Sequence, residues 1–306
     1  MHTIEIPDKK IIINFPSEID EMTSPQFICY VDLVLQYISG SLNEAQFKSR
    51  LLQKLLDIKM SFSYAIMNSE EKEQCDVEVQ RLADLMECFI EEYHKDGKPV
   101  KAFKLKSVHN FVPIIAGYHG PRDCFDNVTF CEYRTARGFF REFAEDGNEQ
   151  SLNNLIAVLY RPAKPFWFIR KYLRSCDGEI RVPFIAKSNP LILKKRAEKI
   201  GKLPYSLRYT VFLYFSGCED FLKSGHPEVD GIKLDFSALY KSNQDDDNAG
   251  NVGMIGLLYS LAETGVFGSI EQTDNANIWD IMVRLYQVVM QMKALEAKTK
   301  SYGSGS

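Results

Sequence analysis

Residues Gly256–Lys298 read GLLYSLAETGVFGSIEQTDNANIWDIMVRLYQVVMQMKALEAK. A helical run breaks at Gly265–Gly268, a capped turn follows through Thr273, Asp274 and Asn275, and a long helix begins near Asn277. In that helix Ile278, Ile281, Leu285, Val288, Met292 and Leu295 share one stripe, widened by Trp279, Met282, Val283, Tyr286, Val289 and Met290. Asp280, Arg284, Gln287, Gln291 and Ala294 trace the opposite line. A helix apolar over so much of its circumference is either core or covered by a partner. No motif for catalysis of comparable strength occurs anywhere in the chain.

Upstream, the same helical grammar repeats. Thr23-Ser24-Pro25 caps a helix carrying Phe27, Val31, Leu35 and Ile38 and ending at Gly40. Asn43 or Ser41 caps a second, with Phe47, Leu51, Leu55 and Ile58 on its face, so the two form an αα-hairpin. Ser69 starts a longer helical pattern through Val79, Leu82, Leu85, Met86, Phe89 and Ile90 to Asp96-Gly97. Further helices are expected at about 129–144, 151–160, 191–200 and 204–222. Extended pieces are few: a terminal hairpin of Thr3–Ile6 and Ile11–Phe15, Val100–Leu105, and Val229–Leu234. The predicted class is mainly α, a multi-helix globular bundle with an N-terminal β-hairpin and a few short extended segments. The expected parts are residues 1–160, a Pro-rich basic linking region 161–190, a C-terminal helical part 191–302, and an appended linker at 303–306. Proteases are expected to cut first in 161–190 or in the polar loop Asn243–Asn251, NQDDDNAGN.

At 306 residues and 45% hydrophobic content the chain has ample material for a core, so disorder of the whole is excluded. The most apolar run, Tyr209–Phe215, is too short to span a bilayer, and the N-terminus has no signal pattern. Seven cysteines without CxxC spacing read as reduced thiols of a cytosolic protein. The net charge of −4 leaves no global nucleic-acid footprint, but charge is segregated. Residues 161–208 hold thirteen Lys or Arg against three carboxylates; residues 70–96 hold ten carboxylates against three cations. Two solvated faces account for this; the sharper reading is a basic docking surface for an acidic partner or nucleic acid.

Candidate chemistry is sparse. His119 and Cys124 in YHGPRDC, with Cys131 beyond, have the residue types of a nucleophile–base pair or a metal site but no family spacing. A structural turn with a packed cysteine explains them, and His109 and His226 are isolated. Asp245, Asp246 and Asp247 resemble a calcium loop superficially, since Gly256 stands where the bidentate carboxylate belongs. Gly265-Val-Phe-Gly268 lacks the lysine of a phosphate loop. Phe166, Trp167 and Phe168, flanked by Lys164, Arg170 and Lys171, read as a hydrophobic plug, with base stacking as the rival use. No cofactor and no metal is expected, and the chain is read as a non-enzyme.

Four segments carry a resemblance. They are Ser24–Lys59 (SPQFICYVDLVLQYISGSLNEAQFKSRLLQKLLDIK), Asn153–Pro165 (NNLIAVLYRPAKP), Arg196–Leu222 (RAEKIGKLPYSLRYTVFLYFSGCEDFL) and Gly256–Gln287. Together they resemble tail-morphogenesis proteins encoded by tailed phages and prophages of Bacteroidetes, similar in character to tail assembly chaperones. The resemblance implies a largely helical, cytoplasmic protein that contacts a long tape-measure protein or tail-tube subunits while the tube assembles. It also leaves room for a homo-oligomer, gives no place to a membrane, and makes nucleic acid a secondary partner. The contact surface expected on this reading is the terminal helix, through Trp279, Met282, Leu285, Tyr286, Val289 and Met290, with Lys194, Lys195 and Arg196 steering an acidic partner. Met-rich faces suit such adaptable cover, although Met282, Met290 and Met292 serve equally as core filler.

Overall fold

Helices dominate the chain, in a computed structural model that describes residues 1–6, 11–57, 68–95, 98–170, 178–185, 190–229, 231–237 and 253–303. The expected mainly-α class holds. So does the N-terminal hairpin, β1 (His2–Ile6) pairing antiparallel with β2 (Ile11–Phe15). The polar loop at 243–251, with Asp245–Asp247, lies outside the described residues. The contacts divide the chain into two compact units, Met1–Ser107 with Pro204–Leu213 and Val108–Leu203 with Tyr214–Ser306.

The first unit is built on the expected αα-hairpin. Helix α1 (Ser24–Ile38) starts at a Thr23–Gln26 capping box, with Pro25 in its first turn. Helix α2 (Glu44–Leu55) starts at the reciprocal Asn43–Gln46 pair. Their apolar faces bury Phe27, Tyr30, Val31, Val34, Phe47 and Leu51. The hydroxyl of Tyr30 donates to Lys104 O at 2.8 Å and lies 3.3 Å from Phe89 O, which accepts from Lys104 N at 2.9 Å, so the phenol and that carbonyl are satisfied inside the core.

The pattern read as one helix from Ser69 to Asp96 is three elements. Helix α3 (Ser69–Ala83) gives way to a 3₁₀ turn (Asp84–Phe89) and then to strand β3 (Ile90–Lys95). Strand β3 pairs antiparallel with β4 (Lys98–Phe103), Ile90 opposite Phe103 and Tyr93 opposite Val100. Tertiary pairing overrides the helical period here: IEEYHK finds its antiparallel partner in Lys98–Phe103, and Met86 and Phe89 are swallowed by the core just before it.

The second unit holds the small hairpin β5 (Ile114–Ile115) and β6 (Tyr118–His119), then helices α4 (Phe130–Asp146) and α5 (Glu149–Leu159). Thr129 and Glu132 form the capping box of α4, and Gly147 at φ 70° ends it, in the left-handed region that favours glycine. Helix α5 is core on almost every side, burying Leu152, Leu155, Ile156, Ala157, Val158 and Leu159. Beyond it come α6 (Trp167–Arg170), α7 (Pro190–Ile200), α8 (Tyr205–Ser224, shared by the two units), and a two-residue hairpin, β7 (Glu228–Val229) with β8 (Ile232–Lys233). The chain ends with α9 (Gly253–Glu263), α10 (Ile270–Asp274) and α11 (Ile278–Gly303).

The boundary expected near residue 160 is not where the units divide. Helices α4, α5 and α7 belong to one unit, and the described residues 161–170 and 178–185 of the expected linking region 161–190 fall in it too. Arg161 pairs with His119 through both backbone bonds, and Ala163 bridges Arg181. Both arginines are buried.

Candidate interaction surface

The root of α11 is fixed by backbone. Ile278 N donates to Val128 O and Phe130 N donates to Ala276 O, both at 2.9 Å, so the helix starts beside the start of α4. Asn277 caps it, accepting from Trp279 N at 2.8 Å and donating to Asp126 O at 2.6 Å. Trp279 donates its indole N–H to Cys124 O at 2.9 Å and meets Phe221 edge-on. Tyr286 meets Phe236 edge-on. Ile278, Ile281 and Met282 are buried; Trp279, Leu285, Tyr286, Val288 and Val289 are half-buried. Met282 is therefore core. Further along, the same helix is bare: Met290 is 44% exposed, Met292 56% and Leu295 64%.

The three cations expected to steer a partner separate in the structure. Lys194 and Lys195 lie exposed on α7. Arg196 is turned inward: its guanidinium donates to Ala157 O at 2.6 Å and Tyr160 O at 3.3 Å, and covers the Tyr118 ring. It satisfies the last carbonyls of α5, the role a cation plays best at a helix C-terminus. Lys194 lines, with Gln150, Asn154, Leu191 and Glu198, an open groove of about 500 Å³ between α5 and α7.

The basic run is further depleted by burial. Arg161, Arg181 and Arg208 are inside. Glu132, wholly buried in the first turn of α4, contacts Arg161, and Arg181 Nη1 stands 3.4 Å from it. Arg181 also holds Glu179 at 2.9 Å and donates to Leu159 O at 3.0 Å and Asn127 O at 2.6 Å. Burial pushes the Glu179 carboxyl up, but its hydrogen bonds and charge pairing with Arg181 outweigh that and hold it below the usual carboxylate range. Burial takes the Arg161 guanidinium down to about 10 despite Glu132 beside it. Sequence reading missed this network. The Thr129-x-x-Glu132 capping box was legible, but the partners of Glu132 lie 29 and 49 positions on, and nothing local announces them.

His119 and Cys124 have separate partners. His119 bridges Arg161 and lies edge-on to Trp167 at 5.7 Å. His109 instead faces Asp123 at 2.7 Å, and His226 is exposed. Cys124 sits at φ 52° and Phe125 at φ 58°, two left-handed non-glycine residues in succession, held by Trp279 and by Tyr214, whose hydroxyl donates to Arg122 O at 2.6 Å. Burial, with Asp123 and Asp126 nearby, raises the Cys124 thiol to about 11, the opposite of an activated nucleophile. Cys131 is buried. No group of three His, Cys, Asp or Glu with metal-holding geometry occurs among the described residues.

Phe166 and Phe168, expected as a plug, are 69% and 54% exposed, while Trp167 is half-buried. Phe166 stands at φ 57°. Among the described residues no helix is long and apolar enough to cross a membrane. No family model, curated protein or solved structure matches the chain.

Proposed function

We propose that this protein is a non-enzymatic binding factor that works by protein–protein contact in phage-type tail or virion assembly, in the cytoplasm of the host cell. Its partner on this reading is a long helical protein of the tape-measure kind. One observation supports contact as its work above all: α11 is rooted in the core at Ile278 and Ile281, yet presents Met290, Met292 and Leu295 to solvent on a helix of 26 residues. An amphipathic helix that keeps its stripe after leaving its own core is built for cover by something else. The assembly setting rests on the resemblance of the four segments quoted above.

The test is to read the neighbouring genes and to co-express this chain with any long coiled-coil-rich protein encoded there, followed by capture. Leu295→Asp is expected to abolish capture and leave the melting temperature unchanged. Capture undiminished by Leu295→Asp would place the contact elsewhere; an adjacent gene set drawn from metabolism would defeat the assembly setting.

A further inference from the structure

The charge segregation of the sequence contracts to one helix in the fold. Of the cations in residues 161–208, Arg161, Arg181 and Arg208 are buried, Arg196 is turned onto the carbonyls of α5, and Lys164 is half-buried. Among the described side chains of that run, the exposed cations are Lys194, Lys195, Lys199 and Lys202, all on α7 or in the turn that ends it. With Leu191 and Glu198 they recur at helical spacing and so share one face, while Ala197 and Ile200 are buried on the other. Lys199 is already held, donating to Ala116 O at 2.9 Å. Lys194 and Lys195 have no ion pair among the described residues.

That face borders the open groove of about 500 Å³ between α5 and α7. Pro190, Leu191 and Leu193 give the groove an apolar lining, and Leu191 and Ile192 are 60% and 55% exposed. Gln150 Nε2 donates to Asn154 Oδ1 at 3.1 Å, so the α5 wall offers neutral amides. Leucines left in water beside unpaired ammonium groups suit a partner that brings an apolar anchor and carboxylates together. Nucleic acid suits the site less well. A phosphate backbone needs a run of cations, and the arginines that would extend this one point into the core. We infer that the α5–α7 groove takes an acidic segment of a partner protein, with a large apolar side chain against Leu191 and Leu193 and carboxylates on Lys194 and Lys195. This rests on the contact function proposed above and adds a second surface and the chemistry of what it binds.

The probe is a pair of synthetic amphipathic peptides with Leu and Phe at their apolar positions. One carries Glu at its polar positions, the other Lys. Each is titrated against the full chain, followed by fluorescence anisotropy. The acidic peptide is expected to bind about tenfold more tightly than the basic one, and to weaken with added salt. Lys194→Glu combined with Lys195→Glu is expected to reverse that preference. Leu191→Asp is expected to weaken the acidic peptide by about tenfold. All three positions are exposed, so the melting temperature is expected to stay unchanged. Equal binding of both peptides, binding of neither, or binding indifferent to the charge reversal overturns the inference. So does a single-stranded oligonucleotide that displaces the acidic peptide, since the cations then serve phosphates. Capture of the native partner separates the two readings. Loss of capture with the charge reversal but not with Leu295→Asp supports the groove and moves the contact away from α11; loss with Leu295→Asp but not with the charge reversal overturns the groove and leaves the contact function standing.

Discussion

The guanidinium of Arg161 meets the carboxylate of Glu132 with both side chains removed from solvent. Glu132 also accepts from Thr129 N at 2.8 Å, so one carboxylate caps α4 and neutralises an arginine that arrives 29 residues later. Breaking such a pair strands a buried charge. Glu132→Ala is expected to cost about 3–5 kcal/mol in denaturant unfolding. Glu132→Gln keeps the capping acceptor and isolates the loss of charge. A cost below about 1 kcal/mol for both would show that the pair is solvated.

Glu179 gives the network a pH signature. Its folded carboxyl titrates below the usual range, so its contribution is complete above the unfolded value near 4.3 and is lost as pH falls from there through the folded value. Melting temperature is expected to fall as pH drops below about 4.5, and Glu179→Gln to flatten part of that slope. An identical slope in wild type and variant would contradict it.

Arg196 and Lys195 are neighbours in sequence with opposite duties. Arg196→Ala removes the donor to Ala157 O and Tyr160 O and is expected to cost about 1–2 kcal/mol. Lys195→Ala, on an exposed position, is expected to stay within about 0.5 kcal/mol. Equal stability of the two variants would mean that the cap contributes nothing.

Trp279 separates root from tip on α11. Trp279→Ala loses the bond to Cys124 O and the Phe221 contact, and is expected to destabilise by roughly 2–4 kcal/mol. Met290→Asp, on an exposed position, is expected to leave stability within about 0.5 kcal/mol. Unfolding by both would make the whole helix core.

Cys124 supplies a chemical readout. With its thiol raised to about 11, alkylation at pH 7.5 is expected to be slow and to climb tenfold per pH unit up to about pH 11. Fast, selective labelling at neutral pH would return Cys124 to the nucleophile class.

What the sequence disclosed followed from local signals. The caps at Thr23 and Asn43, the helix start at Thr129, and the stripes of α1, α2 and α11, are short-range patterns, and those helices stand where the patterns put them. The turn expected through Thr273, Asp274 and Asn275 is instead the end of the short helix α10, capped by Ser269. The 3₁₀ turn and strand after Ala83 were misread because Leu85, Phe89 and Ile90 keep a helical spacing, and a strand's pairing is not written in its own period. In the expected linking region 161–190, proline content was legible because it is local; the anchoring of Arg161 and Arg181 was not, because their partners are distant in sequence. Of the expected surface, the distal end of α11 was legible as a stripe; that Arg196 points inward depends on the last carbonyls of α5, and that Met282 is buried depends on tertiary packing, neither of which spacing reveals.

The Ala163–Arg181 bridge has a consequence for how this chain can change over time. Lys164 N donates to Ile180 O and Val182 N donates to Pro162 O, so the two ends of the intervening excursion are stitched together, with Arg181 locked to Glu179 and to two carbonyls beneath. Once ends are pinned, doubling the chain between them adds only about 0.6 kcal/mol of closure entropy. Insertions beside the exposed Phe166 and Phe168 are thus expected to cost little stability as long as Arg181 keeps its partners.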